Sequence, residues 1–198
     1  MPTRAIVPKS PEFLFAIECA MQAGNVHREY YSKVQELEVT WKLKTNFKTE
    51  VDDKCNILLH NLIRARFPED SILFEETKAY KGTSERTWVV DELDGTLPYR
   101  DGTSPNCSVS IGLAIDDQPI LGVIYAAIRQ ELYVAEKGRG VYCNHMPIHV
   151  SDLTDINQVL MCLEGGKHSR VEILRYLEAL YAEDGITNSY AFGCATVP

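Results

Sequence analysis

The stretch Trp88–Thr96, with the sequence Trp-Val-Val-Asp-Glu-Leu-Asp-Gly-Thr, carries most of the information about the fold and its chemistry. Its apolar, β-branched start is typical of a buried strand, and the Asp-Gly pair that follows is typical of a turn. The stretch Ile72–Glu76 repeats this plan, because an apolar run again ends in acidic residues. Carboxylates gathered at strand ends repel one another unless a cation lies between them. Hard divalent cations prefer oxygen ligands, so the pattern predicts a metal site that handles phosphate.

Taken alone, these residues allow a second interpretation. Acidic residues next to glycine are ordinary turn formers, and Asp91 and Asp94 can equally cap helices on a solvated edge. Glu75 and Glu76 alone are typical of surface acids. Both interpretations stay open at the level of single motifs.

Bulk properties restrict the class of protein. The 198 residues are 45% hydrophobic and 24% charged, which is ordinary for a globular protein with a sizeable core. The formal charge of -8 argues against nonspecific nucleic-acid binding, because such binding needs lysine and arginine to neutralise phosphates. The apolar runs are too short to span a membrane, and no leader sequence is expected. Six scattered cysteines without a zinc-type pattern indicate a reducing compartment, so the cytoplasm is predicted.

Periodicity predicts two helices in the first third of the chain. The first is expected from Pro11 to about Val34, with Leu14, Ile17 and Met21 recurring at helical spacing and Gly24 as a point of close approach. Residues 36–48 are expected to form a loop or a ragged hairpin. The second helix is expected to begin at Thr49, capped with Asp52, and to end at residues 67–70. Its predicted buried stripe consists of Val51, Cys55, Leu58 and Leu62.

A series of strands follows, which predicts a layered α/β (α+β) fold. The predicted strands are residues 72–74, 88–90, 107–115, 120–125, 132–134 and 158–163, with another after Gly185. A further helix is expected from Ser169, with an apolar stripe ending at Tyr181. The predicted organisation is a tail over residues 1–10, a metal- and phosphate-binding α+β domain over 11–150, and the start of a second α/β subdomain over 151–198.

The acidic constellation suits Mg2+, which takes a few carboxylates together with waters and substrate phosphate. Asp91 is expected to bridge two ions, and Asp94 to supply a further oxygen. The Leu93 carbonyl can turn toward the site where the strand ends. Glu75 is expected to ligate metal and also to orient a metal-bound water.

The Gly-Thr pair extends the same site toward the phosphate. Gly95 allows the backbone to approach an anion closely, and the Thr96 hydroxyl is expected to help Glu75 orient the attacking water. One short stretch therefore predicts metal binding, phosphate docking and water activation together.

The order of these motifs resembles the inositol monophosphatase family. The resemblance runs from about residue 11 to the end of the chain, and an ordered series is far more specific than any one motif. It is carried by residues 48–52, by Phe67-Pro68 leading to Ile72–Glu76, by Trp88–Thr96, by Ser108–Ala114, by Gly122–Tyr125 and by Lys137–Asn144.

The resemblance implies a Mg2+-dependent, lithium-sensitive phosphomonoesterase with two or three bound ions. It also implies a layered αβαβα sandwich of the inositol monophosphatase/fructose-bisphosphatase type, a homodimer, and a small phosphorylated metabolite as substrate. By motif position, the metal ligands are Glu75, Asp91, the Leu93 carbonyl and Asp94. Thr96 matches the water-activating hydroxyl, and Asp52 an acid close to the metals. The phosphate and substrate contacts match Asp94, Gly95, Thr96, Gly193, Cys194 and Ala195.

Three departures from the family pattern affect this site. Glu92 replaces a proline, which removes a constraint on φ and adds a negative charge near the ions. Phe74 stands where the family often has glycine, so a more crowded approach to Glu75 is expected. The chain also stops before the family's Trp-Asp segment, so its C-terminal part is expected to be missing.

Several alternatives stay open. Leu93–Leu97 resembles the nucleophile loop of haloacid-dehalogenase phosphatases, but that loop needs an aspartate where this chain has Glu92. Inositol monophosphate is the expected substrate. Nucleotide 3′-phosphatase, fructose-bisphosphatase and histidinol-phosphatase activities occur in the same family. A chain that binds metal and phosphate without turnover is the non-enzyme alternative.

Overall fold

The computed structural model describes residues 10–43, 46–155, 160–163 and 188–191, together with Arg175 and Glu178. Its helices are α1 (Pro11–Tyr31), α2 (Glu50–Arg66) and α3 (Thr96–Asp101), and a 3-10 turn spans Val34–Glu36. The strands, in chain order, are β1 (Val39–Leu43), β2 (Asn46–Thr49), β3 (Ser71–Phe74), β4 (Arg86–Asp94), β5 (Ser108–Ile115), β6 (Gln118–Ala126), β7 (Glu131–Glu136), β8 (Val141–Cys143), β9 (Met146–Pro147), β10 (Leu160–Leu163) and β11 (Asn188–Ala191).

Strands β3 to β9 form one sheet in sequential order. Its first pair, β3 and β4, is parallel, and every later pair is antiparallel. Strands β1 and β2 form a separate antiparallel hairpin, which confirms the ragged hairpin expected between the first two helices. Strands β10 and β11 pair in parallel. Because β3 and β4 run in the same direction, their carboxyl ends lie at one edge of the sheet.

Helix α1 packs against the sheet through small residues. Its buried face includes Ala16, Ala20 and Gly24, whereas the predicted Leu14 and Met21 are 57% and 49% exposed. A Cβ atom on Gly24 would lie 2.4 Å from the Tyr125 ring, which confirms the close approach predicted at this glycine. The helix therefore lies too near the sheet for larger side chains. The predicted stripe was therefore wrong, because close packing selected the small residues rather than the most apolar ones.

Helix α2 begins as predicted but buries a different stripe. Thr49 and Asp52 form the capping box expected from the sequence. The fully buried apolar positions are Val51, Cys55, Leu59 and Ile63, which recur every four residues. Leu58 and Leu62 are only half-buried, so this part of the prediction was wrong by one residue in each of the last two turns.

The core lies between these helices and one face of the sheet. Side chains of β3 to β6 alternate, so that Trp88, Val90, Ile111 and Val123 are buried on the helix side. Cys19, Cys55 and Cys107 are buried and Cys143 is half-buried, each as a free thiol. The layered α/β prediction is confirmed for this part of the chain. The domain boundary at residue 150 stays a prediction, and the stripe of the helix expected from Ser169 lies outside the described residues.

Within residues 10–43 and 46–155, none of the helices combines the length and the apolar character that a membrane span requires.

Candidate metal and phosphate site

Glu75 and Asp91 meet because β3 and β4 are parallel and in register. Phe74 pairs with Val90, and the Glu75 amide extends the ladder by donating to the Val90 carbonyl at 3.2 Å. The next residues in register are therefore Glu75 and Asp91. Alternation along the strands places both side chains on the face opposite the helices. They lie at the rim of an apolar depression of about 530 Å3 on that face.

The carboxylates at this edge repel one another. Burial raises the pKa of Asp91, and the neighbouring charges of Glu75, Asp94 and Glu92 raise it further. The Glu75 and Asp91 carboxyl groups are also close enough to hydrogen bond. A cation between them would replace repulsion with attraction, since a nearby positive charge favours the ionised form of a carboxyl group.

The donor set fits a hard cation by its chemistry. It consists of carboxylate oxygens and one backbone carbonyl, without histidine or cysteine, which is the composition that Mg2+ prefers. In the part of the chain that the structure describes, no group of three or more His, Cys, Asp or Glu side chains is already arranged to hold an ion. Glu75, Asp91 and Asp94 are the acids at this edge that a cation would contact.

Between the two aspartates the chain leaves the regular ladder. Asp91 pairs with Ser110 and Asp94 with Ser108, so two residues of β4 lie opposite one residue of β5. This is a β-bulge, a feature that commonly re-aims side chains beside active sites. Within it, the Leu93 amide donates to Asp91 Oδ1 at 3.2 Å. The Leu93 carbonyl accepts from the Thr96 hydroxyl at 2.8 Å.

Thr96 and Asp52 connect this strand end to helix α2. The Thr96 hydroxyl lies 3.5 Å from Asp52 Oδ1 as well as 2.8 Å from the Leu93 carbonyl. The other Asp52 oxygen accepts hydrogen bonds from the Thr49 amide at 2.7 Å and from its hydroxyl at 2.6 Å. Burial raises the pKa of Asp52 to about 6, although the Thr49 hydrogen bonds oppose this shift. Asp52 is therefore both a helix cap and a neighbour of the Thr96 hydroxyl.

Gly95 makes the turn from β4 into α3. Its φ of 79° lies in the left-handed region, where a side chain is unfavourable. The residue expected to approach a phosphate thus also has a backbone conformation that requires glycine. The other expected substrate contacts, Gly193, Cys194 and Ala195, lie outside the described residues.

The two departures on these strands point toward the helices. Phe74 is buried with its ring 6.1 Å from the His60 ring of α2, on the opposite side of the strand from Glu75. Glu92 is fully buried on the same side, where Asn56 donates to Glu92 Oε1. Burial raises the pKa of Glu92 to about 7. Glu92 also contributes to the raised pKa of Asp91 from behind the strand, and its effect on bound ions stays a prediction.

Sequence reasoning missed Asn56 and His27. His27 is fully buried in α1, and its Nε2 atom lies 2.9 Å from the Glu92 carbonyl. No spacing rule links these residues to β4, because they lie 36 and 65 positions before Glu92. The predicted apolar stripes contained neither residue, so no pattern in the sequence pointed to them.

Comparison with known proteins agrees with this geometry. The model of the inositol monophosphatase family matches residues 9–197. The chain belongs to the inositol monophosphatase family. This membership also excludes the haloacid-dehalogenase interpretation of Leu93–Leu97.

Two family relatives and one solved structure illustrate the similarity. Inositol monophosphatase 3 of Solanum lycopersicum is 37% identical over 155 residues, which is 76% of this chain and 57% of that protein. The Nus factor SuhB of Pasteurella multocida is 34% identical over 148 residues, 74% of this chain and 55% of that protein. The crystal structure of the extragenic suppressor protein suhB from Bartonella henselae superposes with a TM-score of 0.86 at 27% identity, covering 94% of this chain and 72% of that one.

The superposition confirms that the mixed α/β fold is that of the inositol monophosphatase family. The chain spans little more than half the length of the curated relatives that it matches.

Proposed function

We propose that this protein hydrolyses a small phosphomonoester, with inositol monophosphate as the first expected substrate, in a Mg2+-dependent reaction. The observation that carries this proposal is the register of β3 and β4, which puts Glu75 beside Asp91 in mutual repulsion. Two or three bound Mg2+ ions, and inhibition of the activity by Li+, are proposed from family membership. Glu75, Asp91, the Leu93 carbonyl and Asp94 would hold the ions, which supply charge stabilisation and an acidified water.

The residues around this edge would then orient the reaction. Thr96 would accept a hydrogen bond from the attacking water while donating to Leu93 or to Asp52. Glu75, which is exposed directly after β3, would receive the water's proton. Asp52 Oδ1 lies 3.5 Å from the Thr96 hydroxyl, so Asp52 would offer that hydroxyl an acceptor and help to orient it for this step.

The phosphate is proposed to dock at the turn after β4. The Gly95 and Thr96 amides start helix α3, and no side chain at Gly95 blocks their approach to an anion. Asp94, Gly193, Cys194 and Ala195 are proposed to contact the remainder of the substrate. The competing substrate classes are nucleoside 3′-phosphates, fructose bisphosphate and histidinol phosphate.

The assembly and location are likewise proposals. We expect a homodimer in the cytoplasm, acting on a small metabolite without nucleic acid or membrane as a partner. Some relatives carry the name Nus factor SuhB, so a role other than hydrolysis is the alternative to test if the protein shows no turnover.

Phosphate release tests the proposal directly. The protein is assayed with Mg2+ against a panel of phosphomonoesters, alongside Asp91→Asn and a control, Asp117→Asn. Asp117 is an exposed acid in the turn between β5 and β6, and its positive φ suits asparagine. Turnover by the parent and the control but not by Asp91→Asn supports a metal-dependent phosphatase.

Calorimetric titration with Mg2+ separates the remaining outcomes. Binding that Asp91→Asn abolishes, without turnover of any ester, supports the alternative of a metal- and phosphate-binding protein. An absence of both binding and turnover refutes the proposed site.

A further inference from the structure

The bulge in β4 needs partners outside the sheet. Glu92 and Leu93 lie opposite a single residue of β5, so the backbone groups of this segment are displaced from the regular ladder. Buried backbone groups without partners are costly, and they must be satisfied by side chains or water. The amide and carbonyl of Leu93 are satisfied by Asp91 and Thr96, as described above. The Glu92 carbonyl and the Oε1 atom of its side chain are satisfied instead from the two long helices.

Helix α1 holds the bulge through His27. The Glu92 carbonyl can only accept, so His27 Nε2 must carry the proton in the 2.9 Å hydrogen bond between them. The backbone carbonyl of His27 in turn accepts from the Tyr99 hydroxyl at 2.6 Å. Tyr99 belongs to α3, which follows the proposed phosphate-binding turn. His27 therefore contacts the chain on both sides of residues 93–96.

Helix α2 holds the bulge through Asn56. Its side-chain amide donates to Glu92 Oε1 and lies 3.2 Å from the Thr77 hydroxyl. Glu92 Oε2 is buried without a hydrogen-bond partner among the described residues. Leaving one oxygen of a buried carboxylate unsatisfied is unfavourable, so a gain in stability does not by itself explain the hydrogen bond between Asn56 and Glu92. It does fix where the bulge sits relative to α2.

We infer that His27 and Asn56 are positioning residues that hold Glu92 from α1 and α2, and thereby orient Asp91, the Leu93 carbonyl and Asp94 toward a bound cation. This inference rests on the proposed function, because it names what orients the proposed ligands. A proline at position 92 would restrict φ by itself. Glu92 provides no such restriction, and the two helices supply it through hydrogen bonds to its carbonyl and its carboxylate.

Residues that orient metal ligands typically change metal affinity by about 10–100-fold when they are removed. We therefore expect His27→Leu and Asn56→Ala each to weaken Mn2+ binding by about tenfold or more. His27→Gln keeps an N–H donor near the position of Nε2, and is expected to stay within about threefold of the parent. Ile63→Val is the matched control, since it reduces packing at a buried position of α2 and leaves the hydrogen bonds from His27 and Asn56 to Glu92 in place.

Mn2+ titration by calorimetry, with free Mn2+ followed by electron paramagnetic resonance, gives both affinity and stoichiometry. Irreversible misfolding lowers the number of sites per chain, whereas reversible partial unfolding weakens the apparent affinity only in proportion to the folded fraction. Urea unfolding of each variant gives that fraction, so a loss of affinity that exceeds it at unchanged stoichiometry is a result that a merely structural role would not produce. The control variant is expected to keep the affinity of the parent.

The variant Glu92→Pro provides a second test that does not depend on His27. In this background the carboxylate partner of Asn56 is gone and proline restricts the segment, so adding Asn56→Ala is expected to leave Mn2+ affinity unchanged. An equal loss of affinity from Asn56→Ala in both backgrounds overturns the inference, as does parental affinity in both His27→Leu and Asn56→Ala. If the parent chain itself binds no Mn2+, the proposed function and this inference fall together. Binding by the parent with unaffected variants overturns only the inference.

Discussion

Acidification is expected to destabilise this protein through His27. Burial lowers the pKa of His27 to about 4 from the ordinary value of 6.5, although its hydrogen bond to the Glu92 carbonyl opposes the shift. The side chain is fully buried, so the folded protein holds it neutral while the unfolded chain takes up a proton. Below pH 6.5 the unfolded state therefore binds more protons, and stability is lost as the pH falls.

The magnitude follows from the two pKa values. Relative to pH 7.5, protonation of His27 in the unfolded chain lowers the free energy of unfolding by about 2 kcal/mol at pH 5. The loss approaches about 3 kcal/mol at pH 4. The buried carboxyl groups of Asp52 and Glu92 act in the opposite direction, because their raised pKa values let the folded protein bind protons first. A profile of the parent protein alone would mix these effects.

Urea unfolding of the parent and of His27→Gln, at several pH values between 7.5 and 5 and in the presence of a chelator, isolates the histidine. The carboxyl contributions are common to both proteins and cancel in the difference. We expect the variant to gain about 2 kcal/mol relative to the parent between pH 7.5 and pH 5. A difference that stays constant over this range would falsify the claim that His27 is held neutral by burial.

Three further predictions concern stability and are measured by urea unfolding at pH 7.5. Gly24→Ala is expected to destabilise the protein, because overpacking against the Tyr125 ring costs about 1–3 kcal/mol, which is more than the gain in helix propensity. Gly122→Ala is the control, since the space around Gly122 is open, and it is expected to be neutral or stabilising. Asp70→Asn is expected to cost about 3–5 kcal/mol, since this buried carboxylate accepts from three side chains, and a loss under 1 kcal/mol would contradict the account. Gly95→Ala is expected to cost about 1–2 kcal/mol through its left-handed φ, and no cost would show that the turn can rearrange.

Local patterns were sufficient to predict the elements that form the site. The capping box at Thr49, the short strand before Glu75 and the turn at Gly95 each depend on residues that are close in sequence. Their mutual placement then follows from the pairing of β3 with β4. These features are local, so one sequence contains the information for them.

The buried faces of the helices could not be predicted in the same way. Which side of α1 is buried depends on how closely the helix approaches β6, and that distance is set by Gly24 against Tyr125, 101 residues away in sequence. The stripe through Leu14 and Met21 was predicted from hydrophobicity, whereas the helix buries mainly its small residues. In α2 the stripe recurs every four residues rather than alternating between three and four, so a periodic template shifts it by one position.

The long-range contacts of Glu92 change the expected effect of having glutamate rather than the family's proline at this position. As a sequence feature it is an extra acid between two proposed metal ligands, which should disturb the site by repulsion. In the fold, alternation along β4 sends its side chain to the helix side while Asp91 faces the opposite side. Its charge still reaches Asp91, but its carboxylate is held by Asn56 and its carbonyl by His27. The added repulsion should make an empty site less favourable and a bound cation more favourable, since a cation stabilises every carboxylate around it. Glu92→Gln is therefore expected to weaken Mn2+ binding while it stabilises the cation-free protein, and tighter binding by this variant would contradict the argument.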